Sequence, residues 1–202
     1  MICHGILREI LNRYLDVGPA NIQFKTGPHG KPYLSDDFND SGIKFNMSDS
    51  RDLAMIALAH GREIGVDLEY IRPLPDAEQI AKRYFSSLES GILLSLPAGQ
   101  RQKAFFNCWT RKEAYLKALG DGLARPLDQF DVTLAPGEPA RLIEIRYDTQ
   151  ESVKWKLESF EPSPSTVAAL AVEGHGWDMS CWNWVEDKAF LSKERKRKGD
   201  LE

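Results

Sequence analysis

The chain has 202 residues, of which 42% are hydrophobic and 28% are charged. This composition is typical of a globular protein with a buried core and argues against an extensively disordered chain. The formal net charge of -4 provides no general attraction to nucleic acid, so any binding of phosphate groups must depend on local lysines and arginines.

The spacing of apolar residues predicts helices and strands mixed along the chain. The first part is predicted to form a helix over 6–15, a short strand over 22–24, a turn-rich loop over 26–32, and strands over 43–47, 53–59 and 64–70. Because residues 53–59 include alanines, a helix is an alternative to the strand there. The second part is predicted to form helices over 76–84, 87–96 and 101–119, and strands over 130–134, 141–147, 153–160 and 166–172. Helices mixed with antiparallel strands indicate an α+β fold.

The cysteines and the apolar runs indicate the compartment. Cys3, Cys108 and Cys181 are widely spaced, which predicts neither a disulfide framework nor a zinc site and fits a reducing environment. The first residues have the spacing of an amphipathic helix rather than a signal peptide. No apolar run reaches the roughly 18 residues needed to span a bilayer. We therefore expect a cytoplasmic protein without a membrane segment.

Two carboxylates lie two residues apart in the predicted strand over 64–70. Because side chains alternate along a strand, Asp67 and Glu69 point to the same face. Neighbouring carboxylates repel, so a positive charge should compensate them, and Mg²⁺ prefers oxygen ligands and often shares its shell with substrate phosphates. Two acids alone would equally fit an exposed acidic strand edge.

The long helix predicted over 101–119 supplies further polar groups. Trp109, Glu113 and Lys117 are spaced four residues apart and share one face. A solvent-exposed Glu–Lys pair would contribute only about 0.3–0.5 kcal/mol. The tryptophan on the same face instead indicates that this face is partly buried, which makes the glutamate and the lysine candidates for a functional site.

These two segments resemble the signature of the 4'-phosphopantetheinyl transferases. That signature is a Gly-x-Asp strand followed later in the chain by Trp-x-x-Lys-Glu-(Ala/Ser)-x-x-Lys, and residues 65–69 and 109–117 match it. Shorter matches resemble the surfactin-synthetase-activating type: Gly30-Lys31-Pro32-Tyr33, Phe45-Asn46-Met47-Ser48-Asp49-Ser50, Phe85-Ser86-Ser87-Leu88-Glu89 and Gly120-Asp121-Gly122-Leu123.

The resemblance implies a fold and a division of the chain. Members of this family have two similar α+β lobes related by pseudo-twofold symmetry, with coenzyme A in the cleft between them. We accordingly expect an N-terminal lobe over 1–63, a C-terminal lobe carrying the metal site over 64–190, and a charged tail over 191–202.

The resemblance also implies the reaction and its residues. The family transfers 4'-phosphopantetheine from coenzyme A to a serine of an apo acyl or peptidyl carrier protein, releasing 3',5'-ADP. Asp67, Glu69 and Glu113 would hold Mg²⁺ (or Mn²⁺). The expected contacts with coenzyme A, through its phosphates or its nucleotide end, are Lys31, Ser48, Lys112 and Lys117, although Lys112 could equally face solvent. Either Glu113 or Glu89 would accept the serine proton.

The carrier protein is expected to be acidic and to meet the surface near residues 72–95, which includes Arg72, Lys82, Arg83, Tyr84 and Phe85. The two aromatic residues could instead belong to the core. We expect a monomer that binds neither nucleic acid nor a membrane.

Two departures from the family pattern leave a second function open. Asp49 stands where the subgroup has histidine, which should weaken the grip on coenzyme A unless Arg51 or a water compensates. The chain also begins at a helix that lies further along in these enzymes, so the first strand of lobe one would be missing. A relative that binds coenzyme A or a carrier protein without turnover is therefore the alternative, and a purely structural module is a third.

Overall fold

The structure, a computed structural model, describes residues 2–120, 122, 125–146, 148, 150–184 and 192–194. The helices in this part are Ile2–Leu15 (α1), Ala77–Tyr84 (α2), Ser87–Ser95 (α3) and Ala98–Leu119 (α4). The strands are Phe24–Thr26 (β1), Pro32–Leu34 (β2), Ile43–Ser50 (β3), Leu53–His60 (β4), Ile64–Tyr70 (β5), Phe130–Val132 (β6), Leu142–Ile145 (β7), Trp155–Phe160 (β8), Thr166–Glu173 (β9), Cys181–Asn183 (β10) and Ser192–Glu194 (β11). This mixture confirms the predicted α+β class.

The strands pair in antiparallel fashion. The largest sheet has the order β5-β9-β8, with Ile64 opposite Val172 and Trp155 opposite Glu173. The remaining strands pair as β1 with β2, β3 with β4, β6 with β7, and β10 with β11. For residues 53–59 the sequence allowed either a strand or a helix, and the structure forms strand β4 there. Strand β3 lies next to β5, which brings the first and second parts of the chain together.

Element boundaries differ from the prediction by a few residues. Helix α1 begins at Ile2 rather than at residue 6, and α4 begins at Ala98 rather than at residue 101. The short strand predicted over 22–24 begins at Phe24. Ser86 caps α3 because its side chain accepts the Glu89 N–H while the Glu89 carboxylate accepts the Ser86 N–H.

Within the described ranges, three hydrophobic clusters support these elements. One lies under α1 and contains Leu7, Leu11, Ile22, Leu34 and Phe45. The largest surrounds α4 and includes Phe85, Phe105, Phe106, Tyr115, Phe130 and Trp155. The third contains Ile64, Val66, Leu170 and Val172, packed against Met55, Ala57 and Ala59 of β4. This last cluster joins β4 to β5 and β9 across the predicted boundary between residues 63 and 64.

The lobe limits of 1–63 and 64–190 stay a prediction. The charged tail predicted over 191–202 lies outside the described residues except for 192–194. No helix among the described residues is both long and apolar enough to cross a membrane.

Strand β5 and helix α4 approach each other closely at Gly65. A Cβ atom there would lie 2.1 Å from the Ala114 carbonyl oxygen and 2.3 Å from the Ala118 nitrogen. The glycine of the Gly-x-Asp motif is therefore needed for backbone-to-backbone packing. Helix α4 ends at Leu119, and the capping residue that follows, Gly120, has a φ of 77° in the left-handed region that favours glycine. Together these two glycines fix how α4 lies on the sheet.

Candidate active site

The candidate site, called the acidic site below, comprises Asp67 and Glu69 of β5 and Glu113 and Lys117 of α4. Asp67 is 6% exposed. Its Oδ1 atom accepts hydrogen bonds from Lys117 Nζ at 2.6 Å and from Ser48 Oγ at 3.0 Å. Its Oδ2 atom is buried and has no hydrogen-bond partner among the described residues. Because an unpaired buried carboxylate oxygen is costly, Oδ2 marks a position where a cation would be stabilised.

The charged groups of the acidic site shift one another's protonation. Burial raises the pKa of Asp67, and the nearby Lys117 ammonium acts in the opposite direction. Burial raises the pKa of Glu113 to about 6, with a further contribution from the charge of Asp67 and a smaller one from Glu69. Lys117 lowers the pKa of Glu113. The structure thus brings the four predicted residues within electrostatic reach of one another.

Glu69 lies beside a second cation. Its Oε2 atom accepts hydrogen bonds from Arg72 Nη1 at 3.2 Å and from Ser50 Oγ at 3.4 Å. Across the part of the chain that the structure describes, no three His, Cys, Asp or Glu side chains are grouped closely enough to hold a metal ion. A metal shared by Asp67, Glu69 and Glu113 therefore requires their side chains to turn toward one another.

The donor set nevertheless suits a hard divalent cation. Mg²⁺ prefers carboxylate oxygens, and in the part of the chain that the structure describes no group donates to the buried Oδ2 of Asp67. A cation between Asp67 and Glu113 would also offset the repulsion that contributes to the raised pKa of Glu113. The residues present thus fit the predicted metal.

Lys31 contacts the end of α4 that follows Lys117. Its Nζ atom donates to Glu63 Oε2 at 3.0 Å and to the carbonyl oxygen of Ala118 at 2.7 Å. A lysine at the last turn interacts favourably with the unpaired carbonyls and the negative end of the helix dipole. This contact supports the position of α4, and the predicted binding of the nucleotide by Lys31 stays a prediction.

Lys112 and Glu89 form an ion pair inside the protein rather than at the site. Both side chains are 0% exposed, and Lys112 Nζ lies 2.8 Å from Glu89 Oε1. The ammonium also donates to the carbonyls of Leu127 and Phe130, so its three hydrogens are used. Glu89 Oε1 further accepts the Val132 N–H at 2.8 Å. In this arrangement Lys112 cannot contact a phosphate, and Glu89 cannot accept a substrate proton. We therefore leave both predicted roles out of the proposed site.

The structure also places three further residues from the sequence patterns. Trp109 is partly buried and stacks on Phe105 with ring centroids 6.0 Å apart, which agrees with the inward-facing helix surface inferred from its spacing. Asp49 is exposed. The guanidinium of Arg51, expected to compensate Asp49, lies 4.5 Å over the Tyr70 ring.

Three residues around the site are named in the sequence patterns but were not assigned to the acidic site. Arg72, Ser50 and Asn46 contact Glu69 or the backbone of β5. The alternation of polar side chains at 46, 48 and 50 was a usable signal, because alternate residues of a strand share one face. It did not say that this face would meet β5.

Comparison with known proteins identifies the family. The sequence profile of the 4'-phosphopantetheinyl transferase superfamily matches residues 63–172. The chain belongs to this superfamily. It is 47% identical over 180 residues to the 4'-phosphopantetheinyl transferase HetI of a Nostoc strain, covering 89% of this chain and 73% of that protein. It is 33% identical over 129 residues to the transferase Sfp of Bacillus subtilis, covering 64% of this chain and 55% of that protein.

A solved structure gives a weaker likeness. The holo-[acyl-carrier-protein] synthase of Thermotoga maritima is 20% identical, covers 61% of this chain and 70% of that chain, and superposes with a TM-score of 0.43. That score supports no statement about the site. The family profile matches a segment that contains both β5 and α4, the two elements that carry the acidic site.

Proposed function

We propose that the protein transfers 4'-phosphopantetheine from coenzyme A to a serine of an apo acyl or peptidyl carrier protein, in a reaction that requires Mg²⁺. The observation that carries this proposal is the buried Oδ2 of Asp67, to which no described residue donates a hydrogen bond, beside Glu113 and Lys117 on the two segments that match the family signature. Membership of the transferase superfamily supports the reaction class.

The reaction is a displacement at phosphorus. The serine oxygen forms a bond to the β-phosphorus of coenzyme A, the bond from that phosphorus to the bridging oxygen breaks, and 3',5'-ADP leaves with that electron pair. Catalysis of such a step depends mainly on positioning and on compensation of negative charge. Mg²⁺, when held by Asp67, Glu69 and Glu113, would polarise the phosphate oxygens.

Glu113 is the proposed general base. Without a bound metal, burial and the neighbouring Asp67 charge raise the pKa of Glu113 to about 6, so its carboxylate is mostly deprotonated at neutral pH. A bound cation would lower this pKa and keep the carboxylate in the form that accepts a proton. Glu113 would take the serine proton directly or through a water. The other candidate for the general base, Glu89, is buried in an ion pair with Lys112.

Lys117 is the proposed phosphate contact. Its side chain is 30% exposed, and its Nζ donates to Asp67 Oδ1 and to Ser48 Oγ at 2.9 Å. An ammonium has three hydrogens, and these two contacts leave one for an anion. A phosphate oxygen at this position would be close to both Lys117 and the carboxylates of the acidic site, where a metal would share it.

The surface of α2 and α3 is the proposed docking site for the carrier protein. Tyr84 is 43% exposed and Leu88 is 50% exposed, so both offer apolar surface to a partner. Arg83 lies over the Tyr84 ring at 5.2 Å, so a basic group borders the apolar pair and suits an acidic partner. Phe85 is 4% exposed and belongs to the core, which was the alternative to a place on the carrier-protein surface.

The alternative is a protein that binds coenzyme A or a carrier protein without turnover, which the exposed Asp49 favours. It would show a dissociation constant for coenzyme A but release no 3',5'-ADP. We further propose that the protein acts in the cytoplasm as a monomer, for which size-exclusion chromatography with light scattering is the check of mass.

The test is a transfer assay read by mass spectrometry. Purified protein, Mg²⁺, coenzyme A and a panel of apo carrier proteins should yield a carrier heavier by one phosphopantetheine group. Glu113→Gln should abolish the gain, whereas the control Glu144→Gln, at an exposed residue of β7, should retain it. Leu88→Glu should raise the KM for the carrier and leave coenzyme A binding unchanged. A folded wild type that modifies no carrier would contradict the proposal.

A further inference from the structure

A cavity of about 1060 Å³ lies beside α4, on the side of the helix that faces away from the acidic site. Helix α4 contributes Lys103, Asn107 and Arg111 to its lining, and their spacing of four residues puts them on one helix face. Side chains two positions apart on a helix point about 200° apart, so Arg111 and Glu113 face opposite directions. Among the described residues that line the cavity, none belongs to the acidic site.

The other walls of the cavity come from two strands that belong to different sheets. One wall is formed by residues 137–143, which lead into β7, and the other by residues 155–161, which include β8. Leu142 and Leu157 give these walls apolar surface, and Ile143 is 46% exposed. Small-molecule sites are commonly clefts of about 300–1,000 Å³ with mostly apolar walls and a few polar groups. The cavity therefore has the size and the lining of a ligand site.

The charged side chains that line the cavity leave one positive charge uncompensated. Four lysines and arginines and three glutamates are among its described lining residues. Three of the four cations pair with the three carboxylates: Lys103 with Glu161, Lys156 with Glu158 at 2.9 Å, and Arg141 with Glu138 at 3.9 Å. Arg111 is the cation that remains.

Arg111 is held by neutral oxygen atoms and is only 2% exposed. Its guanidinium donates to the carbonyl of Thr133 at 2.6 Å and to the hydroxyl of that residue at 3.0 Å. It also donates to the carbonyl of Glu138 at 3.0 Å and to Ser159 Oγ at 3.3 Å. Its Nε atom has no hydrogen-bond partner among the described residues. Because a buried charge is costly without an opposite charge nearby, an anion in the cavity would stabilise this arrangement.

Ser159 offers a hydrogen-bond donor next to Arg111. It is half-buried and lines the cavity, and its Oγ atom accepts from Arg111 Nη2. In the part of the chain that the structure describes, no group accepts the hydrogen of this hydroxyl. A hydroxyl that accepts from a cation is polarised and becomes a better donor. Ser159 can therefore donate to an anion while Arg111 supplies the compensating charge.

We propose that this cavity binds a small molecule that carries one anionic group and an apolar chain. The anionic group accepts a hydrogen bond from Ser159 beside Arg111, and the chain lies along the apolar walls of β7 and β8. The cavity is separate from the acidic site, so this inference does not depend on the proposed transfer reaction.

The test measures binding of three probes by calorimetry: octanoate, 1-octanol and acetate. Octanoate has both the charge and the chain, whereas 1-octanol lacks the charge and acetate lacks the chain. The wild type is compared with Ser159→Ala, Ser159→Thr and Ile143→Glu. The matched control is Glu144→Gln, because Glu144 is the exposed neighbour of Ile143 in β7 and is not among the described lining residues. Circular dichroism checks that each variant is folded.

We expect octanoate to bind the wild type at one site, about tenfold or more tightly than 1-octanol or acetate, because hydrogen bonds to charged groups are the stronger ones. Ser159→Ala should weaken octanoate binding by about tenfold and leave 1-octanol binding unchanged. Ser159→Thr keeps the hydroxyl and should restore octanoate binding. Ile143→Glu should weaken binding of both octanoate and 1-octanol, and Glu144→Gln should change neither.

Three results would overturn the inference. They are equal affinities of the wild type for octanoate and 1-octanol, binding of octanoate that does not saturate at one site, and octanoate affinity unchanged in Ser159→Ala. If Ser159→Ala does not fold, the comparison of the three probes on the wild type and on Ile143→Glu decides. A failure of the proposed function would appear instead as a wild type that modifies no carrier protein, whatever its affinity for octanoate.

Discussion

The buried Lys112–Glu89 pair allows a sharp prediction for the variant Glu89→Gln. Glutamine keeps the shape of the side chain but removes its charge, so the Lys112 ammonium is left with neutral partners in a position of 0% exposure. Breaking a buried ion pair by neutralising one partner typically costs about 3–5 kcal/mol, because the remaining charge stays desolvated. We expect a loss of that size in the free energy of unfolding.

The expected loss is large relative to the stability of an ordinary domain, which is about 5–15 kcal/mol. For a chain of this length each kcal/mol lowers Tm by roughly 2–4 °C, so Tm should fall by about 6–20 °C. Urea unfolding followed by circular dichroism and a thermal scan measure the two quantities. The surface pair Lys103–Glu161, in which Glu161 is 63% exposed, is the control, and Glu161→Gln should cost less than about 1 kcal/mol.

Two further results decide whether the pair acts in the core or in catalysis. The double variant Glu89→Gln/Lys112→Met removes the unpaired charge and should recover part of the lost stability. The transfer rate per folded molecule of Glu89→Gln should match the wild type at a temperature well below its Tm. A variant with wild-type stability and no transfer would refute this reasoning and return Glu89 to the list of candidate bases.

Two other variants probe the acidic site and the packing beneath it. Burial raises the pKa of Glu113 from 4.5 to about 6, so the folded protein binds the carboxyl proton of Glu113 more tightly than the unfolded chain does. The protonated carboxyl therefore contributes stability below pH 4.5, and this contribution is lost as pH rises through 6. In EDTA, Glu113→Gln should therefore match the wild type at about pH 4 and exceed its free energy of unfolding by about 1–2 kcal/mol at about pH 8; equal curves across this range would contradict the assignment. Gly65→Ala places a Cβ atom 2.1 Å from the Ala114 carbonyl oxygen and should destabilise the fold by about 3 kcal/mol or more. The control Gly91→Ala, in α3 with no atom of the described residues within 4 Å of its Cβ position, should stabilise the fold by about 0.5–1 kcal/mol. Equal urea midpoints for the two variants would refute the close-packing argument.

The elements that position the site could be predicted from local pattern. Residues 64–70 alternate as a strand should, and the four-residue spacing of Trp109, Glu113 and Lys117 placed them on one helix face. Gly65 could be recognised from the motif, but the physical reason for a glycine at this position could not. The structure supplies the reason, because a Cβ atom at Gly65 would lie 2.1 Å from the backbone of α4.

The partners of the charged side chains could not be predicted in the same way. Lys112 directly precedes Glu113, yet consecutive residues of a helix point about 100° apart, so one side chain enters the core and the other reaches the site. Its pairing with Glu89 depends on how α3 and α4 pack. The contact of Lys117 with Ser48 likewise joins residues 69 positions apart, a relation that no local pattern contains.

The measurement that tests the central claim most directly is an anomalous difference map from crystals grown with Mn²⁺ and coenzyme A. We predict one strong peak in contact with Asp67 Oδ2 and Glu113, with the coenzyme A diphosphate completing the shell and Lys117 beside it. A diphosphate bound elsewhere, or a peak that touches neither carboxylate, would contradict the account.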